Sequence, residues 1–301
     1  MGATQGLDIS AAQGYNVDFN KIKAAGYDYV ILRAGYGSAL KYPNQFDGTF
    51  EGNYKKAKAA GLKVGAYWFT YCTTTAGAQD EAKAFVSALK GKQFEMPVYM
   101  DIEDSKQFNT GKTNCSNMCL AFCDYMEKAG YYAGIYCSTY WGNNYLTSDV
   151  RNKYAYWVAD WSSKCSYTGT YGMWQNGTAY VSGSGTGAMD HDYCYVDYPS
   201  IIKNKGLNGF TKPKTEEKIL DTGSCYKLGE TTVGALAVKE LIRIAYIKKL
   251  TSICPDESKK YDDKTMSAVK DLQKSWGYKQ TGRAGENFVK MLYSKLYSKL
   301  K

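Results

Sequence analysis

The most informative segment of this 301-residue chain is Met96-Pro97-Val98-Tyr99-Met100-Asp101-Ile102-Glu103-Asp104. An apolar strand runs directly into a cluster of carboxylates. Successive strand side chains point to opposite faces, so Asp101 and Glu103 point the same way and Ile102 points to the other face. Two acids at one strand end repel each other, which raises the pKa of at least one. The pairing suits proton transfer on a sugar or ester; solvated acids at a polar strand end are the alternative.

On both sides of this segment, the first 210 residues or so alternate short apolar strands with helices. Strands are predicted at 29–34 and 64–69, among others, and the helices end at glycines such as Gly26, Gly61 and Gly130. Apolar strands joined by helices indicate a parallel sheet covered by helices. About eight strands predict an α/β fold, a TIM-like (β/α) barrel with fewer helices than strands because the later units lose their helices.

Polar and aromatic residues recur where these predicted strands end. In such barrels the chemistry lies at the carboxyl ends of the strands, which meet on one face. We therefore predict that one site gathers Asp8, Arg33, Tyr36, Tyr67, Asp101, Glu103, Tyr136, Asp160, Gln175 and Asp190.

The composition excludes several other kinds of site. His191 is the single histidine, so a Ser-His-Asp triad would have to use it, and zinc sites with two or three histidines are impossible. Cys115, Cys119 and Cys123 recur every four residues, which predicts small buried hydrophobes on one helix face rather than metal ligands. We therefore expect carboxylate chemistry with no metal and no cofactor.

The composition changes after residue 206. Residues 207–215 contain glycine, lysine and proline without periodicity, which predicts a linker between a barrel at 1–206 and a small all-α domain at 216–301. From Thr215 onward there are 17 basic and 11 acidic residues, so +6 of the net charge of +9 lies in this segment. Such a segment fits an electrostatic anchor; a solvated helical surface is the alternative.

Ordered segments over roughly residues 4–200 resemble glycoside hydrolase family 25, the Chalaropsis-type muramidases. The segments that carry the resemblance are Gly6-Leu7-Asp8-Ile9-Ser10, Tyr29-Val30-Ile31-Leu32-Arg33-Ala34, Gly65-Ala66-Tyr67-Trp68-Phe69, Asp101-Ile102-Glu103, Tyr156-Trp157-Val158-Ala159, Trp174-Gln175 and Met189-Asp190-His191-Asp192. The resemblance implies a βα barrel that hydrolyses the β-1,4 bond between N-acetylmuramic acid and N-acetylglucosamine in bacterial peptidoglycan.

The resemblance also implies roles for the acids. Glu103 is the general acid, Asp101 raises its pKa or orients the acetamido group of the substrate, and Asp8 and Asp190 complete an acidic ring. Asp192 stands where the family usually has asparagine, so the choice between Asp190 and Asp192 is open, and we favour Asp190. The sequence does not distinguish attack by the acetamide of the sugar from direct attack by water.

Several aromatic residues would stack on the glycan or border it, with core packing as the alternative for each. They are Tyr36, Tyr67, Tyr136, Trp161 and Trp174. Arg33 would contact the anionic lactyl or peptide portion of the substrate, or pair with a barrel acid. Gln175 is a further candidate substrate ligand, and His191 is expected to be structural.

The end of the chain resembles another module, a small helical peptidoglycan-binding domain. The resemblance rests on Tyr261–Gln273, Gly277-Tyr278, Gly282 and Gly285, with Val233–Ile242 similar to its first helix. A three-helix domain without affinity for the wall is the alternative.

Together these features predict a peptidoglycan hydrolase, an endolysin or an autolysin, with peptidoglycan as its partner. A chitinase-like glycosidase and a non-catalytic glycan-binding protein are the alternatives. Unpaired cysteines and no visible signal peptide predict synthesis in the cytoplasm and holin-type release, or else a trimmed secreted form. We expect no membrane span and no nucleic-acid partner; the oligomeric state is open.

Overall fold

Eight short strands in the first part of the chain pair edge to edge into a closed barrel. The structure, a computed structural model, describes residues 3–213 and 218–298. The strands are β1 (Thr4–Ile9), β2 (Tyr29–Tyr36), β3 (Lys63–Phe69), β4 (Val98–Asp101), β5 (Ala133–Ser138), β6 (Ala155–Ala159), β7 (Met173–Ala179) and β8 (Met189–Cys194). The predicted barrel class is confirmed.

Eight α-helices lie between or after these strands within the described residues, so α-helices and strands are equal in number. They are α1 (Phe19–Ala24), α2 (Phe50–Ala59), α3 (Thr75–Leu89), α4 (Ser105–Phe108), α5 (Lys112–Lys128), α6 (Thr139–Tyr145), α7 (Ser148–Lys153) and α8 (Tyr198–Lys205). The predicted loss of helices in the later units occurs after β6 and β7. It is offset because the connections after β4 and after β5 carry two helices each.

The last strand runs against the direction of the others. Neighbours from β1 to β7 pair in parallel, whereas β8 is antiparallel to both β7 and β1. A parallel connection needs a crossover of about a dozen residues or more. Residues 180–188 are too few for that crossover, so the chain returns as a hairpin and the sheet is not purely parallel.

Alternation along the strands divides the barrel into an inner and an outer layer. Tyr29, Tyr99 and Trp157 belong to a fully packed inner cluster. Their strand neighbours, such as Val30 and Met100, belong to the outer cluster beneath the helices. Every second residue of a strand therefore faces the barrel interior, and the residues between face the helices.

Glycines on the inner face make room for the large inner rings. A Cβ atom on Gly6 would lie 2.2 Å from the Tyr29 ring, and one on Gly134 would lie 2.4 Å from the Tyr99 ring. Small and large residues thus alternate around the interior, which closes the bottom of the barrel with side chains.

The outer layer is closed by α3 packing on α5. Phe85 of α3 and Phe122 of α5 are fully buried, with ring centroids 6.1 Å apart. Cys115, Cys119 and Cys123 are also fully buried on α5, as their spacing predicts.

Asn208 ties the end of the barrel unit to the bottom of the barrel. Its amide nitrogen donates to the carbonyl oxygens of Phe94 (3.1 Å) and Met96 (2.9 Å), and its amide oxygen accepts from the Tyr132 backbone N–H (2.7 Å). The chain divides into two compact units after Pro213, so the segment 207–215 begins inside the first unit. Composition alone could not reveal that residues from 207 onward belong to the first unit, because a single asparagine, Asn208, makes the hydrogen bonds that hold them there.

The second unit is built on three helices. They are α9 (Val233–Ile247), α10 (Asp263–Ser275) and α11 (Glu286–Ser298). Two strands of two residues each, β9 (Cys225–Tyr226) and β10 (Ala284–Gly285), pair antiparallel, so the expectation of an all-α domain misses a minimal sheet. Segments this short carry no readable alternation.

Two buried polar side chains organise the second unit. Asp221 accepts backbone hydrogen bonds from Gly285, Asn287 and Phe288, which satisfies the first free N–H groups of α11. Lys239 is fully buried and pairs with Asp256 while donating to the carbonyl oxygen of Lys260 at 2.9 Å. No helix in the described ranges is long and apolar enough to cross a membrane.

Asn208→Ala should destabilise the barrel unit by about 2–4 kcal/mol, because it strands buried backbone groups that are paired in the native fold. Urea unfolding followed by tryptophan fluorescence measures this, since five of the six tryptophans lie in the barrel unit. Asn204→Ala, on the exposed side of α8, is the matched control. An equal midpoint for both variants would contradict the attachment.

Candidate active site

The acids predicted at the strand ends meet at one mouth of the barrel. Asp8 on β1 lies opposite Asp190 in the antiparallel β1–β8 ladder. Asp101 is the last residue of β4, and Glu103 follows two residues later. Asp8, Asp101 and Asp190 occupy inward-facing strand positions, so closure of the barrel brings carboxylates from three strands together.

Asp8 is buried and hydrogen-bonded to an amide. Its Oδ2 accepts from Nε2 of Gln175 at 2.8 Å, and the residue is 7% exposed. Burial, followed by the nearby Asp190 carboxylate, raises the pKa of Asp8 to about 8, although the Gln175 hydrogen bond opposes the shift. A substantial fraction of Asp8 is therefore protonated near neutral pH.

Asp101 is also buried, and one of its oxygens has no partner. Its Oδ1 is enclosed without a hydrogen bond among the described residues. Burial, then Glu103, then Asp8 raise the pKa of Asp101 well above its ordinary value, while Arg33 lowers it. Ionisation of Asp101 is therefore disfavoured, and when Asp101 does ionise, its charge raises the pKa of Glu103 and Asp8.

Glu103 and Asp190 line an open cleft of about 440 Å³ together with Tyr136, Trp161 and Gln175. The surface of Glu103 is exposed, but the group stands in a concave mouth with protein on several sides. This partial desolvation, followed by repulsion from Asp190, raises the pKa of Glu103. Desolvation also raises the pKa of Asp190. Both groups are accessible to a ligand in the cleft.

A fifth acid, Asp192, lies deeper in the barrel than Asp190. It is fully buried, accepts from the indole N–H of Trp157 at 2.8 Å through Oδ1, and leaves Oδ2 unpaired. Burial, followed by Asp8, raises the pKa of Asp192 well above its ordinary value. The positions support the choice of Asp190 as the acid that faces the cleft, and they give Asp192 a place in the floor. No group of three or more His, Cys, Asp or Glu among the described residues could hold a metal ion.

Tyr67 and Tyr136 stand between the acids and the barrel floor. Their ring centroids lie 6.4 Å and 4.5 Å from that of Trp157. Burial, followed by neighbouring acids, raises the pKa of both hydroxyls well above the ordinary value, so both stay protonated donors. Trp161 differs because it is 61% exposed at the rim of the cleft.

Arg33 and Tyr36 lie at the end of β2. The Nε atom of Arg33 donates to Oδ2 of Asp47 at 2.8 Å, and its guanidinium lies 5.6 Å from the centre of the Tyr36 ring. Asp47 was not singled out from the sequence, because it lies in the β2–α2 connection rather than at a strand end. The structure thus pairs Arg33 with an acid, the alternative left open above.

Trp174 and Asp160 do not face the cleft as the sequence interpretation expects. Trp174 belongs to the outer cluster, and its indole N–H donates to the carbonyl oxygen of Asp160 at 2.8 Å. Gln175 faces inward, so its neighbour Trp174 must face outward. The Asp160 carboxylate accepts from the backbone and hydroxyl of Ser166 and thereby shapes the loop that carries Trp161.

His191 has the structural surroundings expected of it. Its ring nitrogens lie 2.6 Å from Oδ1 of Asn176 and 3.1 Å from Oε1 of Gln5. Burial lowers its pKa. It points to the outer side of β8, away from the acids on the neighbouring positions.

Comparison with known proteins decides the family. Residues 7–183 match the sequence profile of glycosyl hydrolases family 25, which spans more than half of the chain. The chain belongs to glycosyl hydrolase family 25. The predicted class of enzyme, a glycoside hydrolase, is thereby confirmed, and the matched span contains Asp8, Asp101 and Glu103 but ends before Asp190.

Named relatives of this family 25 hydrolase are lytic enzymes. The chain is 29% identical over 265 residues to an autolytic lysozyme of Clostridium acetobutylicum, covering 77% of this chain and 78% of that protein. It is 26% identical to lysozyme M1 of Streptomyces globisporus, covering 62% and 66%. The crystal structure of the CTP1L endolysin aligns with a TM-score of 0.59 and 29% identity over 67% of this chain and 70% of that one.

In this family 25 hydrolase, Asp192→Asn should reduce the loss of folding stability that accompanies rising pH. Because the folded state holds the pKa of Asp192 above its unfolded value, the unfolded chain ionises first, and wild type loses stability as pH rises between the two pKa values. The loss is at most about 1.4 kcal/mol per pH unit. Asparagine keeps an acceptor for Trp157 without this loss.

Melting temperatures at pH 4 and pH 8 test this, with the exposed Asp149→Asn as control. The advantage of Asp192→Asn over wild type should grow with pH, whereas Asp149→Asn should follow wild type. A constant difference across the range would contradict the burial of an uncharged Asp192.

Proposed function

We propose that this chain is an N-acetylmuramidase that cleaves the β-1,4 bond between N-acetylmuramic acid and N-acetylglucosamine, with Glu103 as the general acid. The chain is a peptidoglycan hydrolase of the lysozyme class, as its family and its lysozyme relatives establish. The observation that supports the finer assignment is the position of Glu103 in the cleft, accessible and with a raised pKa beside Asp190.

The proposed chemistry follows from that position. Protonated Glu103 donates its proton to the glycosidic oxygen as the bond to the anomeric carbon breaks, which leaves an oxocarbenium-like centre. Negative charge shared among Asp8, Asp101 and Asp190 stabilises that centre. Water supplies the hydroxyl of the product and returns a proton to the glutamate. General acid assistance of this kind contributes roughly 10²–10⁴-fold to the rate.

Aromatic residues at the mouth support binding of a sugar chain. Trp161 presents an exposed indole beside Glu103, and the Tyr136 ring lines the same cleft. Amphipathic rings of this kind pack on apolar sugar faces while their polar edges keep hydrogen bonds.

The alternatives carry less support. A chitinase-like glycosidase needs a D-x-x-D-x-D-x-E segment. If Glu103 is the last residue of that pattern, its first two aspartate positions hold Met96 and Tyr99. A non-catalytic glycan-binding protein has no need of several buried carboxylates, each of which costs desolvation free energy.

We propose that the second unit binds the cell wall. Its resemblance to a small helical peptidoglycan-binding domain and its positive charge support this. A cavity of about 850 Å³ there is lined by residues that include Tyr226, Lys227, Arg283 and Val289. Two glutamates and three basic side chains line it, so its small excess of positive charge suits an anionic polymer. The net charge of +6 from Thr215 onward suits an anionic wall polymer.

The site of action is the cell wall, and the route to it is a further part of the proposal. All nine cysteines are free thiols in the structure. Free thiols in this number are typical of proteins that fold in a reducing compartment. Synthesis in the cytoplasm followed by release to the wall through lysis fits this chemistry.

Glu103→Gln should fold normally and lose about 10²–10⁴-fold of the rate at which reducing ends are released from purified wall, because glutamine cannot donate the proton. Glu127→Gln, an exposed glutamate of α5, is the matched control and should keep wild-type activity. Full activity of the Glu103 variant would remove the assignment.

A chain that ends at Pro213 should keep the cooperative unfolding of the barrel but bind purified wall more weakly than the full chain. Co-sedimentation with wall fragments measures binding, and added salt should weaken binding of the full chain because the attraction is partly electrostatic. Equal binding by the two forms, at every salt concentration, would show that the second unit has another purpose.

A further inference from the structure

Gln175 lies at the centre of the site, and both ends of its side-chain amide are engaged within the protein. The residue is 3% exposed. Its Nε2 donates to Oδ2 of Asp8 at 2.8 Å, and its Oε1 accepts from the Tyr136 hydroxyl at 3.0 Å and from Nε1 of Trp161 at 2.9 Å. One side chain therefore joins β1, β5 and the segment after β6.

The donor on Trp161 fixes the orientation of this amide. An indole nitrogen can only donate, so the Gln175 atom that faces it must be the carbonyl oxygen. The amide nitrogen then faces Asp8 and can only donate to it. Asp8 is thus offered a hydrogen bond that favours its ionised form, against the effects of burial and of Asp190.

The same contact determines how Trp161 is presented. Its indole edge is tied to Gln175 while 61% of its surface remains open to solvent, beside Glu103 in the cleft. An untethered surface tryptophan would exchange between rotamers. The tether leaves the ring faces free and removes part of the entropy that ordering the ring on a sugar would otherwise cost.

We propose that Gln175 is a positioning residue of the reaction, not a sugar ligand: it holds Trp161 as a platform for the glycan and orients the Asp8 carboxylate within the acidic mouth. This inference rests on the proposed muramidase function. The proposal has two arms, the hydrogen bond from Nε2 to Asp8 and the hydrogen bond that Oε1 accepts from Trp161. Because different atoms of the amide make these two contacts, the two arms predict separable effects.

Two variants separate the arms. In Gln175→Glu a carboxylate of the same shape still accepts from Trp161 and Tyr136, but the donor to Asp8 is replaced by a second acid. We expect the apparent pKa that reports Asp8 in the pH profile of kcat to rise by about one unit or more, with KM within about twofold of wild type. Trp161→Phe keeps a ring and loses the N–H, so it should raise KM several-fold and leave the pH profile in place.

Kinetics on soluble, uncross-linked peptidoglycan fragments from pH 4 to about pH 10.5 measure both parameters, because the range must extend beyond the raised pKa. Gln175→Met, which loses both arms, should show both effects and keeps the test informative if the glutamate variant does not fold. Coincident pH profiles for wild type and the folded Gln175 variants, or an equal shift in Trp161→Phe, would overturn the proposal. Absence of muramic acid reducing ends from wild type would instead overturn the proposed function, so the two failures are distinguishable.

Discussion

Mutual repulsion among carboxyl groups in one barrel mouth is the constraint on which the site depends. Asp8, Asp101 and Asp192 are all buried, and Asp190 and Glu103 stand directly above them in the cleft. In a desolvated cluster each ionised group raises the pKa of its neighbours, so the set carries fewer charges than it has carboxyls. A general acid requires an accessible group with a raised pKa, and Glu103 is the accessible member for which we propose that role.

Packing in the barrel interior holds these carboxyl groups close together. From floor to mouth, Asp192 holds the Trp157 indole, Trp157 packs against Tyr136, and Tyr136 donates to Gln175, which in turn donates to Asp8. Each contact joins different strands of a closed barrel, so the acids sit on a rigid frame. Rigid placement matters because displacements of about 1 Å can cost 10²-fold in rate.

The sequence predicted that the acids converge at one mouth, because a physical rule places strand ends together. Strand ends of a barrel converge, which gathered Asp8, Asp101 and Asp190, and the resemblance singled out Glu103. The sequence interpretation placed Trp174 at the cleft, which was wrong. Neighbouring strand residues point to opposite faces, so an inward Gln175 requires an outward Trp174. The Trp157–Asp192 pair and the attachment by Asn208 were missed because each depends on a contact between residues 35 or more positions apart, which no local pattern records.

Mass spectrometry of purified wall, digested with the full chain and reduced with borohydride, tests whether cleavage occurs on the reducing side of N-acetylmuramic acid. Disaccharide-peptides that end in reduced N-acetylmuramic acid are expected. Products that end in reduced N-acetylglucosamine, or free stem peptides without new reducing ends, would contradict this expectation.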